Sequence, residues 1–67
     1  MSIAKIVEIS AESSKSFEDA MAQGIARAGK TVKGIRSAWI AEQKVLVEND
    51  RITAYRVVMR VSFVLSA

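Results

Sequence analysis

The sequence predicts an α+β fold of order β-α-β-β, in which a three-stranded antiparallel sheet wraps around one amphipathic helix. Three observations carry this. Phe17, Ala20, Met21, Gly24, Ile25 and Ala28 recur at helical spacing, forming one apolar face. The segment Arg51 to Leu65 carries an unbroken series of large apolar residues at every second position. A short polar turn, Asn49-Asp50, separates that segment from another β-forming run, as an antiparallel hairpin requires.

The elements follow in order. "IAKIVEIS", Ile3 to Ser10, is β-branched and short, and reads as the first strand. "AESS" comes next and offers Ser13 or Ser14 as a helix N-cap. The stripe Phe17–Met21–Ile25 packs into the core, while Glu18, Asp19, Gln23, Arg27 and Lys30 take the other side of the helix. The acidic pair in the first turns and the basic pair near the end suit the helix dipole. Gly24 on the buried face predicts close approach to a sheet, and Gly29 or Gly34 ends the helix. "IRSAWIAEQKVLVE" and "RITAYRVVMRVSFVL" then form the hairpin. In the return strand Tyr55, Val57, Met59, Val61, Phe63 and Leu65 point to the helix. The alternate positions Ala54, Arg56, Val58, Arg60, Ser62 and Val64 form a second, mixed face, which is too apolar for water alone and should meet another subunit or a ligand.

Composition bounds the function. The chain has 67 residues, a single domain over 1–67, and a domain this small buries only about 60% of the surface its unfolded chain exposes. Hydrophobic residues nevertheless make up 51% of it, and no cysteine is present to staple it. Some of that apolar surface is expected to face other subunits. The chain also lacks histidine, so thiolate and imidazole metal sites and the usual nucleophile–base pairs cannot be built. No spacing singles out a Ser–Lys or carboxylate pair, and the chain is read as a non-enzyme. The formal charge is +3, but the ten basic residues are scattered, which argues against nucleic acid. A mild positive field favours phosphorylated small molecules. No apolar run reaches the roughly 18 residues of a membrane span, and no signal peptide opens the chain, so a cytoplasmic protein without a membrane partner is expected.

The order and spacing of three segments resemble the dodecins, small β-α-β-β proteins that form hollow homododecamers and bind flavins. "KIVEISAESSKSFEDAM" is similar to the family's first strand and its Ser-rich approach to the helix. "ARAGKTVKGI" is similar to the helix end, where the family reads A-R-A-x-x-T-[VLM]. "YRVVMRVSFVL" is similar to the last strand, [YF]-Q-V-x-[VML]-x-V-x-F-x-L. The resemblance implies a homododecameric storage protein for riboflavin, FMN or a related planar ligand.

The ligand-defining positions depart from that pattern. Family members stack the isoalloxazine on a Trp of a W-x-E motif in the second strand and contact the ring edge with a Gln of the last strand. Counting back from the last strand, Ser37 stands at the Trp position, Trp39 at the Glu, and Arg56 at the Gln. The pattern "IRSAWIAEQ…YR" is instead similar to a dodecin subgroup that includes a calcium-binding member. Ser37 and Trp39 share one strand face, so Trp39 offers an aromatic platform displaced by about 7 Å along the strand. Arg56 is planar and permanently charged, suited to stacking or to gripping phosphate. One reading is a shifted Trp39–Arg56 clamp for a planar anion, with Gln43 as a secondary polar candidate. The other has Trp39 filling a subunit interface and Arg56 paired with Glu42 or another carboxylate. The Trp and Arg enrichment of interfaces favours the second. For calcium, Glu8, Glu12, Glu18, Asp19, Glu42, Glu48 and Asp50 supply oxygens without EF-hand spacing, and symmetry axes would have to gather copies of one of them.

Overall fold

In the computed structural model, which describes residues 3–65, strand β1 (Ile3–Ser13) leads into helix α1 (Phe17–Ala28), followed by strands β2 (Ile35–Glu48) and β3 (Arg51–Leu65). The sheet order is β1-β3-β2, and both pairings are antiparallel. The β-α-β-β order and the two hairpin strands match the sequence reading. β1 is longer than expected, ending at Ser13 rather than Ser10, because β3 is long enough to pair with it as far as Ser13 opposite Tyr55.

That extension moves the helix start. Ser13 and Ser14 are not the N-cap; Ser16 is, with extended backbone and its hydroxyl accepting the Asp19 N–H at 2.9 Å. Ser13 has a different task. Its buried hydroxyl accepts the Lys15 N–H at 2.9 Å and donates to Asp19 Oδ2 at 2.6 Å, and Gln23 donates to the same oxygen. This clasp joins the end of β1 to the first turns of α1. It also holds the Asp19 carboxyl below its ordinary pKa, chiefly through the Ser13 hydrogen bond; desolvation opposes it, and Gln23 and then Lys15 add to the lowering.

The helix packs on β1 and β3. Ala20, Val57 and Met59 form the buried centre, ringed by Ile9, Ala11, Phe17, Met21, Ile25 and Ile40. Gly24 has the predicted role: a Cβ there would lie 2.7 Å from Met59 Cε and 3.1 Å from Ala11 Cβ. Phe17 and Tyr55 close one end edge-to-face, with ring centroids 5.2 Å apart. The helix ends at Gly29 in right-handed conformation, so glycine's freedom is used at Gly34, where φ is +77° on the way into β2. At the hairpin tip Asn49 and Asp50 both have positive φ, +53° and +63°, as a two-residue turn between right-twisted strands demands.

The result is long and thin, 52 × 19 × 13 Å. Its radius of gyration is 13.8 Å, against about 11 Å for a compact domain of this length. Fully or nearly buried hydrophobics are few among the described residues: Ala20, Ala54, Val57, Met59 and Val61. A chain half made of apolar residues thus leaves much of that surface uncovered.

Candidate functional site

The helix covers one side of the sheet, so the candidate site is the other. Residues paired across strands point to the same side. The pairings of β3 therefore place Glu8, Ser10 and Glu12 of β1, Arg56, Val58 and Arg60 of β3, and Ser37, Trp39, Glu42 and Lys44 of β2 together on the free face. A bulge in β2 between Ile40 and Glu42 keeps both halves of that strand in step with β3.

The face is organised by charge. Two glutamates four positions apart on β1 face two arginines four positions apart on β3. Arg56 binds Glu12 through Nη2 at 2.7 Å and Nε at 3.0 Å, both to one carboxylate oxygen. Arg60 binds Glu8 at 3.3 Å. The sequence reading did not assign these pairs, although the equal spacing of the two sets was legible. Lys44 lies directly opposite Arg56 on the other side of β3.

The sequence-derived site residues are distributed as follows. Ser37 and Trp39 do share a face, and the Ser37 hydroxyl bonds to that of Ser62. Trp39 is 41% exposed and lies opposite Arg60, not Arg56. Within one chain Trp39 and Arg56 are separated by four positions of β3, about 13 Å at the usual strand rise. Arg56 is paired with a carboxylate, and the partner is Glu12 rather than Glu42, because β1 and not β2 presents its acid in register. Gln43 pairs with Val57, on the helix side of the alternation. Even so, it borders a groove of about 190 Å³ whose other walls include Ser10, Glu42, Lys44, Arg56 and Val58.

A larger groove, about 360 Å³, runs along the outer edge of β1 beside α1, over Ile9, Ala11, Gly24 and Ala28. Its floor is small and aliphatic, its rim carries Ser10, Glu12, Gln23, Arg27 and Thr31, and it lies along the opposite edge strand of the sheet from Trp39. We assign it to packing at the helix–strand edge and place the candidate site on the polar groove. Among the described residues no group of three or more Asp or Glu side chains is arranged to hold a metal ion within one chain. Among the described residues no helix is long and apolar enough to cross a membrane.

Comparison with known proteins gives these features a context. The family model for dodecin matches residues 3–66. Calcium dodecin of Mycobacterium tuberculosis is 36% identical over 63 residues, spanning 94% of this chain and 89% of that one. A crystal structure of the M. tuberculosis calcium dodecin, described as a calcium-chelating antigen with a novel calcium-binding site, is 34% identical with a TM-score of 0.81, covering 96% of this chain and 91% of its own. A crystal structure of a Thermus thermophilus dodecin point mutant is 27% identical with a TM-score of 0.93, covering 100% of this chain and 98% of its own. The sequence is thus nearer the M. tuberculosis protein than the T. thermophilus one, and the backbone the reverse.

Proposed function

The chain belongs to the dodecin family, and from that premise we propose that it is a small-ligand binding and storage protein, assembling with its own copies into a hollow homododecamer. The single observation that best supports a ligand is the free sheet face, where an exposed Trp39 stands opposite Arg60 and a polar groove opens beside Arg56. An indole offers a stacking surface for a planar ring, and Lys44, which lines the groove and makes no ion pair among the described residues, offers charge to a phosphate beside Arg56, whose guanidinium is shared with Glu12. The ligand class that fits is a flavin, riboflavin or FMN, or a related phosphorylated planar molecule. Since Trp39 and Arg56 stand apart in one chain, the clamp closes between subunits, with Ser37 leaving room beside Trp39 and Gln43 at the groove rim. The protein works by sequestration in the cytoplasm and not by catalysis.

A second reading, a calcium-binding shell without flavin, is favoured by the similarity to the M. tuberculosis calcium dodecin. Glu8 and Glu12 are held by arginines, whereas Glu42 lies opposite Val58 and makes no ion pair among the described residues. Copies of Glu42 gathered at a symmetry axis would supply the several oxygens that calcium needs.

The test is a fluorescence titration of FMN and riboflavin with ligand-stripped protein. Strong quenching of flavin emission, with quenching of the single tryptophan, is the expected result. Silence in both channels, together with a calcium-dependent rise in Tm that Glu42→Gln abolishes, would replace the flavin reading with the calcium one.

A further inference from the structure

We infer that the two ends of this long sheet are matched to each other, so that the hairpin tip of one copy seats on the β1–β3 foot of the next. The inference rests on the self-assembly proposed above and names the surfaces that make it. At the tip, Val47 and Ile52 are cross-strand partners, 59% and 52% exposed. At the opposite end, Ile3 and Leu65 are cross-strand partners, 59% and 46% exposed. Each end of a body 52 Å long therefore carries a bare apolar pair. β1 stops opposite Tyr55, so neither a third strand nor the helix reaches the tip.

Charge decides which ends meet. The tip carries Glu48 and Asp50 against the single cation Arg51. The foot carries Lys5, opposite Phe63, and Arg36, next to Ile35 on the other side of Phe63. All five are exposed, and none is in an ion pair among the described residues. Tip on tip would set acid against acid, and foot on foot base against base. Tip on foot buries both apolar pairs and sets opposite charges around them, an apolar centre with a charged rim. Such a contact is heterologous: each copy offers one tip and receives another, and repetition closes into a ring when the rotation allows.

The experiment is mass photometry of the full chain across a dilution series. In Val47→Ser/Ile52→Ser the concentration at which the assembly falls apart should rise by about tenfold or more, as loss of central apolar contacts does. Because truncation can also weaken the fold, charge swaps provide the second arm. Glu48→Lys and Lys5→Glu should each destabilise the assembly, and the combined variant should recover toward wild type, which mere structural damage would not do. A wild-type oligomer whose dissociation is unmoved by the serine variant, or charge swaps that fail to compensate, overturns the tip-to-foot contact and leaves self-assembly standing. A wild-type monomer overturns both.

Discussion

The two faces of β3 are built from the same strand and do opposite work. Val57, Met59 and Val61 on one side are completely buried under α1 and its neighbours. Arg56 and Arg60, interleaved with them, sit on the other side, paired to Glu12 and Glu8 in the open. The pleat alone separates them, since successive side chains leave a strand in opposite directions. The difference teaches where stability resides. The covered face holds the fold, while the free face leaves its charged pairs and Trp39 exposed, where the proposed ligand would meet them.

Substitutions can break or sharpen that contrast. Met59→Ala should have the largest effect, about 2–5 kcal/mol of stability, because it opens a cavity under the helix; denaturant unfolding reads it. Gly24→Ala should cost about 1 kcal/mol net even though alanine favours a helix by nearly that amount, because its Cβ must displace the Met59 terminus and crowd Ala11. An unchanged or raised Tm would mean that the helix has slack above the sheet.

At the junction between the faces, Asp19 gives a pH signature. Its folded-state pKa is lowered, so the folded protein binds that proton less readily than the unfolded chain. The resulting stability is complete above the ordinary aspartate value of 3.8 and is lost as pH falls through the lowered one. Asp19→Asn should flatten that acid limb, and Ser13→Ala should shrink it, in Tm measured against pH. The smallest effect belongs to the free face: both Arg56 and Glu12 are more than a third exposed, so Arg56→Ala should cost less than about 1 kcal/mol. A loss as large as that of Met59→Ala would show that Arg56 is buried in the assembly and that the faces are less different than one chain implies.

The elements were legible because their signals are local. The hairpin strands come from a period of two around a turn, and the helix face from Phe17, Met21 and Ile25 at helical spacing. Gly24 was legible as a close approach because its lack of a side chain falls on the apolar stripe. The N-cap was not. Four serine or lysine positions, Ser13 to Ser16, precede the helix, and the choice among them turned on how far β1 could follow β3. The site was only partly legible. Ser37 and Trp39 share a face as their spacing requires, but Trp39 lies opposite Arg60 because the bulge and the turn set the register of β2.

By itself, then, the sequence determined the order β-α-β-β, the side of the sheet that α1 covers, the absence of thiol and imidazole chemistry, and an apolar excess too large for one small core. These are properties of composition and of short-range period, which each segment carries without its partners. Only the tertiary structure decided that Arg56 pairs with Glu12, that Ser13 clasps Asp19, and that bare apolar pairs stand at both ends of the sheet. Those depend on which residue of one strand lies opposite which residue of another. That register is set by where strands end, turn and bulge, and no single segment contains it.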